Sequence, residues 1–202
     1  MSNLILASSS PARHALLSRL KIPFMTISPN IDESRFQNEP PMDFVSRLSE
    51  QKAQTIAHQH PTAWVIGSDQ ICICDNVIWG KPLTLENART QLSFFSGKTV
   101  YFYTGLCLTN LNSHQSFLDV IPYQVHFRSL QPSCIEDYIH SENILECAGS
   151  FKAEGLGIRL FEKMAGNDPT SLQGLPLIRL CDFLEWADFF NKPHQTDYTE
   201  SN

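Results

Sequence analysis

A carboxylate sits where a chain of this kind should hold none. The stretch 63–75, AWVIGSDQICICD, has apolar residues on both sides of Gly67-Ser68-Asp69-Gln70 and reads as a buried strand. An ionised Asp in such a strand costs several kcal/mol unless something pairs with it. Three other segments carry groups able to do so: Ser8-Ser9-Ser10-Pro11-Ala12-Arg13, Gly80-Lys81-Pro82 and Gly149-Ser150-Phe151-Lys152. Hydroxyls, a guanidinium and two ammonium groups converging on a carboxylate would hold a polyanion together with a cation.

The elements that must position these groups follow from periodicity and punctuation. Leu4-Ile5-Leu6-Ala7 reads as a first strand, and Ala15, Leu16, Leu17 and Leu20 as the apolar stripe of a helix. Between them, Ser10 suits an N-cap and Pro11 the first helical position. Such a turn aims free N–H groups and the positive end of a helix dipole at an anion. Arg13 in the first turn opposes that dipole, as a ligand-binding charge would, although a plain cap with a surface arginine has the same sequence.

Residues 24–27 predict a second strand, and 30–41, with Asp32, Glu33 and Arg35, a loop of the kind that lines sites. A helix is expected from Pro41 to about His58, with Lys52 beside its apolar stripe and read as solvated. Asp75-Asn76 turns the central strand back into Val77-Ile78-Trp79, which brings Lys81 near Asp69. Helices are expected over 84–95 and 133–139, and a long antiparallel pair over 98–109 and 117–127. Residues 146–157 break every periodicity and read as a ligand-wrapping loop. Strand character returns at 158–164, and a closing helix runs from Leu177 to about Phe190 with Ile178, Leu180, Cys181 and Leu184 inward. Trp64 and Trp79 read as core residues.

Composition narrows the class. The 202 residues are 42% hydrophobic and 18% charged, as in ordinary globular proteins. A net charge of −6 argues against general nucleic-acid affinity. No apolar run approaches the length of a membrane span and no signal peptide is visible, so a cytoplasmic protein is expected. The cysteines at 72, 74, 107, 134, 147 and 181 fall mostly in apolar segments and read as reduced, buried thiols.

Taken together, these pieces resemble the Maf family of septum-formation-protein-like nucleotide pyrophosphatases. The shared elements are LILASSSPAR at the start, IDES at 31–34, GSDQ at 67–70, GKPLT at 80–84, YTGL at 103–106, AGSFKAEG at 148–155 and GLPL at 174–177. Each is short; their order and spacing are specific, and they cover nearly the whole chain. The segments around GSDQICICD and ECAGSFKAEG are most similar to the branch acting on 7-methyl-GTP.

The resemblance implies an α/β fold of the Maf and inosine triphosphatase-like kind: an elongated mixed sheet flanked by helices, with two lobes around a central cleft. One domain is expected over 1–191, with a polar tail at 192–202. It implies hydrolysis of a nucleoside triphosphate between the α and β phosphates, giving a monophosphate and pyrophosphate, with Mg²⁺ or Mn²⁺ as cofactor. The implied catalytic residues are Asp69, Lys81, Lys52 and Glu33, with Asp69 the usual proton acceptor. Ser8, Ser10, Arg13 and Lys152 would bind phosphate. Asp69 and Glu33 suit a divalent ion, so Asp69 reads either as general base or as metal ligand. Gln70, Glu154 and position 12 are associated with base choice; position 12, commonly a larger side chain, is Ala12 here. A homodimer is implied as well. Other readings are a dTTP/UTP-specific enzyme, an enzyme for another non-standard triphosphate, and a nucleotide-binding regulator of cell division without turnover.

Overall fold

The computed structural model describes residues 4–190; the polar tail expected at 192–202 lies outside them. Seven strands form one mixed sheet: β1 (Leu4–Ala7), β2 (Met25–Ile27), β3 (Trp64–Cys74), β4 (Val77–Trp79), β5 (Thr99–Asn110), β6 (Gln115–Phe127) and β7 (Phe161–Gly166). Their order is β2-β1-β3-β5-β6-β7, with β4 paired to β3 off this path. The β1 pairings with β2 and β3 are parallel, and the remaining pairings are antiparallel. Five helices pack against it: α1 (Pro11–Ser18), α2 (Pro41–Ala57), α3 (Leu85–Phe95), α4 (Pro132–Ser141) and α5 (Leu177–Trp186).

The central strand explains the cleft. On one edge, β3 pairs with β5 without interruption from Val65↔Thr109 to Ile73↔Tyr101. On the other edge, β1 leaves it at Ala7↔Gly67 and β4 joins it at Cys72↔Trp79. Residues 68–71 therefore have no strand neighbour on that side, and the sheet forks there. The chain leaves β1 through the serine turn on one prong and leaves β4 through Gly80-Lys81 on the other.

The core divides the same way. One apolar cluster joins Leu4, Leu6 and Ile66 to Leu106 and Leu108 under α1 and α5. Another joins Cys72 and Cys74 to Phe95, Phe102, Phe127 and Phe151 under α3 and α4. A smaller cluster lies under α2. Between the two larger ones the sheet interior turns polar, with buried Ser68, Asp69, Thr104 and Ser171.

Local chemistry sets the boundaries. Ser10 caps α1 by accepting from the Arg13 N–H at 3.4 Å, and Thr84 caps α3 by accepting from the Asn87 N–H at 3.1 Å. Three expectations need correction. β7 begins at Phe161, because residues 156–160 coil into a 3₁₀ turn that folds back onto the carbonyl of Lys152. α5 stops at Trp186, where Asp188 takes a left-handed conformation at φ 53°. Ile178, expected inward, is 56% exposed.

The thiols also differ from expectation. Cys72, Cys74 and Cys107 are buried, but Cys147 and Cys181 are half-buried and Cys134 is exposed. Burial pushes the Cys107 thiol up to about 12, so it is uncharged at neutral pH. Trp64 is core, stacked on Phe117 at 6.2 Å between ring centres. Trp79 packs on Phe94 and Phe95 while one face lines the cleft. No helix among the described residues is long and apolar enough to cross a membrane.

Candidate active site

Asp69 is held from α2, the one direction the spacing did not suggest. Its Oδ1 accepts from Lys52 Nζ at 2.6 Å, and its backbone N–H donates to Ser49 Oγ at 3.0 Å. Lys52 Nζ also meets Glu33 Oε1 at 2.8 Å. None of the three segments expected to neutralise Asp69 makes an ion pair with it. Lys52, read as solvated, is only 5% exposed. The strand face of Asp69 opposes the helix face of Lys52, so a residue at the margin of the apolar stripe ends up inside.

The close approach of α2 has a visible cause. A Cβ on Gly67 would fall on the backbone of Ser49 and Ala53, and one on Gly105 would fall on Ser49 Oγ and the Val45 carbonyl. Two adjacent strands thus present bare backbone to one helix. Ser49 bridges this seam, donating to the Val45 carbonyl at 2.7 Å while accepting from Asp69. Sequence reading missed Ser49 and the pairing of these glycines. Only Gly in an otherwise apolar strand hinted at a close backbone approach.

Although the three segments do not pair with Asp69, they do surround it. A cavity of about 680 Å³ opens at the fork in the sheet, within the usual size of a small-molecule site. One wall carries Ser8, Ser10, Ala12 and Arg13; the other carries Lys81, Lys152 and Glu154; Asp69, Gln70, Lys52 and Glu33 lie between. Every catalytic, phosphate-binding and base-choice residue implied by the resemblance lines this one space, whereas Asp32, Arg35 and Trp64 do not.

The serine turn is organised as an anion cradle. Ser8 Oγ accepts from the Ser10 N–H at 3.1 Å, and Ser10 Oγ from the Arg13 N–H. Neither Ser9 nor Ala12 finds a partner for its N–H among the described residues, which leaves two donors at the start of α1. Arg13 Nε donates to the Gly174 carbonyl at 2.8 Å, fixing the guanidinium in the cleft. Burial lowers its pKa, and the charges of Asp69 and Glu33 raise it in opposition; an arginine remains a cation throughout. Lys81 reaches across the opposite wall to Glu146 at 3.0 Å, both ends exposed.

Gln70 points away from Asp69, as strand alternation requires. Its Nε2 donates to Ser171 O at 2.7 Å, Thr104 Oγ1 at 3.0 Å and Leu172 O at 3.2 Å. The amide is thereby oriented, and its oxygen is left as the group it can offer a ligand. The segment that receives it is itself tied down by Asp168, a residue the sequence reading placed only in a turn. Asp168 Oδ1 accepts from the Thr170 N–H and hydroxyl, at 2.9 and 2.6 Å, and Oδ2 from the Ile178 N–H at 2.8 Å. Thr170 Oγ1 then accepts from the Leu177 N–H at 2.8 Å, so the first turn of α5 is capped from upstream. Asp168→Ala is expected to cost about 3 kcal/mol, because it strands buried donors bonded to a charged group. Urea unfolding should show a lower midpoint with an unchanged slope.

For a divalent ion the donor set is small. No group of three or more His, Cys, Asp or Glu side chains converges among the described residues. Asp69 and Glu33 each spend one oxygen on Lys52 and keep the other, which are two hard oxygen donors of opposite origin at the cleft floor. Mg²⁺ is commonly held by one or two carboxylates, water and substrate phosphates, so the residues present fit such an ion completed by a phosphorylated ligand.

Comparison with known proteins identifies the family. A family model described as Maf-like protein matches residues 3–187. A protein of Pseudomonas syringae pv. tomato named 7-methyl-GTP pyrophosphatase is 50% identical over 184 residues, which cover 91% of this chain and 96% of that protein. Among solved structures, protein VC0702 from Vibrio cholerae aligns over 71% of this chain and 69% of its own at 12% identity. Its TM-score is 0.30, too low a likeness to bear on fold or site.

Proposed function

The chain belongs to the Maf family, and from that premise we propose that it is a nucleoside triphosphate pyrophosphatase. Its reaction is the hydrolysis of the anhydride between the α and β phosphates, with 7-methyl-GTP the preferred substrate. The observation that carries this is one contact chain, Asp69 to Lys52 to Glu33, set at the fork of the sheet between a serine–arginine cradle and two lysines.

The chain's own groups supply most of what the reaction needs. Charge spreads over the non-bridging oxygens as the anhydride opens, so catalysis rests on positioning and neutralisation. The Ser8 and Ser10 hydroxyls and the free N–H groups opening α1 hold phosphate oxygens, while Arg13, Lys81 and Lys152 balance the triphosphate charge. Asp69 accepts the proton of the attacking water, and Lys52 holds that carboxylate in place. The water oxygen bonds to phosphorus as the bridging P–O bond breaks, giving the monophosphate and pyrophosphate. With Asp69 as base, Glu33 and the phosphate oxygens would hold Mg²⁺ or Mn²⁺, and the ion when bound would neutralise those oxygens and acidify water.

The preference for a guanine base is supported by polarity. The Gln70 oxygen and the Glu154 carboxylate are both acceptors, and a guanine edge offers N–H donors. A carboxylate also favours the positive charge of a 7-methylated ring. The net charge of −6 disfavours nucleic acid as substrate. Six free cysteines suit a cytoplasmic setting.

The test is a panel of triphosphates, 7-methyl-GTP, GTP, dTTP and UTP among them, assayed for pyrophosphate with Mg²⁺ or Mn²⁺. Release of pyrophosphate with the matching monophosphate, fastest from 7-methyl-GTP, is the expected result. Ligand-induced thermal stabilisation without pyrophosphate from any member would leave a binding protein instead.

A further inference from the structure

Glu33 reaches Lys52 from residues 28–40, which contain neither strand nor helix, and its side chain is 59% exposed. A carboxylate so placed has no packing of its own to hold it. The helix that carries Lys52 also carries Arg47, about 7.5 Å further back along its axis. Arg47 Nε and Nη2 donate to Glu39 Oε1 and Oε2 at 2.6 and 2.8 Å, a two-pronged pair whose side chains are 17% and 9% exposed. Nη2 also donates to the Ser34 carbonyl at 3.1 Å, and Nη1 to Gln51 Oε1 at 3.0 Å. The Phe36 ring covers the guanidinium at 3.9 Å.

The segment closes on itself around this group. Glu39 Oε2 accepts from the Phe36 N–H at 3.1 Å, and the Glu39 carbonyl accepts from Arg35. Asp32 Oδ1 accepts from the Ser34 N–H at 2.8 Å. Ser34, held through its carbonyl, directly follows Glu33. Arg47 itself does not line the cleft. Its arrangement is nonetheless costly for a surface loop: a half-buried bidentate pair, a stacked ring and a backbone bond, all spent on residues 34–39.

We propose that Arg47 is a positioning residue for Glu33, clasping residues 34–39 to α2 so that Glu33 meets Lys52; this rests on the hydrolytic reading of the cleft. Arg47 touches no reacting atom and acts through the backbone next to Glu33. A planar fork is required for this, so a lysine at 47 cannot substitute.

The experiment compares wild type, Glu39→Gln, Arg47→Lys, Glu33→Gln and the Glu33→Gln/Glu39→Gln double variant. Pyrophosphate release from 7-methyl-GTP gives kcat and KM, and trypsin cleavage after Arg35 reports the segment independently of activity. Glu39→Gln and Arg47→Lys should each lower kcat about tenfold with KM little changed, since a misplaced group costs the chemical step. Both should speed cleavage after Arg35 while the melting temperature stays near that of wild type. In the double variant, kcat should equal that of Glu33→Gln alone. Multiplied losses in the double variant, or wild-type kcat in Glu39→Gln despite faster cleavage, would overturn the clasp while leaving the enzyme intact. A wild-type protein that releases no pyrophosphate from any triphosphate would remove the hydrolytic reading, and the clasp with it.

Discussion

Asp69→Asn lowers kcat for pyrophosphate release by about 10³-fold and leaves the protein folded. An amide cannot take a proton from water, and the contribution of a positioned general base sets the size of the loss. The fold survives because Lys52 keeps Glu33 as its counter-ion at 2.8 Å, on a side of the cleft open to water. Lys52→Ala should invert the balance. It leaves the Asp69 carboxylate, 9% exposed, without its ammonium, and breaking a buried pair from one end costs about 3–5 kcal/mol. Steady-state kinetics and thermal melts on the two variants test the pair together. An Asp69→Asn protein that keeps a tenth of wild-type kcat would remove Asp69 as proton acceptor, and equal melting temperatures for the two variants would contradict the burial argument.

Gly105→Ala should cost about 3 kcal/mol and reduce kcat by about 10²-fold, with Gly67→Ala at least as severe. At both positions a methyl group meets the α2 backbone, which cannot rotate out of the way as a side-chain tip can. The helix must therefore lift from the sheet, and Ser49 and Lys52 move with it. Stability and activity fall together because one seam sets both. Gly80→Ala provides the contrast: nothing stands within 4 Å of its Cβ, and its stability should change by less than about 0.5 kcal/mol. Urea midpoints for the three variants, read beside kcat, test this. Wild-type stability in Gly105→Ala would mean that the helix does not rest on bare backbone there.

Much of this protein is legible along the chain. The strand carrying Asp69, the capped turn after β1, the hairpin through Asp75-Asn76 and the long β5–β6 pair all follow from local chemistry and short periodicity. Asn76 takes φ 64° and Asp75 φ 49°, the left-handed pair that a tight hairpin turn requires of these residues. The seven motifs also identify the family, since their order survives in one dimension. Where these elements depart from expectation, a contact outside the element itself decides. β7 starts late because the preceding loop folds onto Lys152, and Ile178 faces outward because α5 is pinned at its start by Asp168 and Thr170.

The amino-acid sequence by itself determined which elements form and that a buried acid must find a cation. It could not say which cation, because periodicity reports the face an element buries and not what the opposing element presents there. That Lys52 is the partner of Asp69 depends on how closely α2 can approach, and two glycines 38 residues apart in sequence set that distance. The clasp at Arg47 is of the same kind. Its parts are ordinary residues until the fold places a guanidinium, a carboxylate and an aromatic ring within contact of one another. Only tertiary structure makes such meetings, since their energy depends on direction, distance and exclusion of water rather than on residue type.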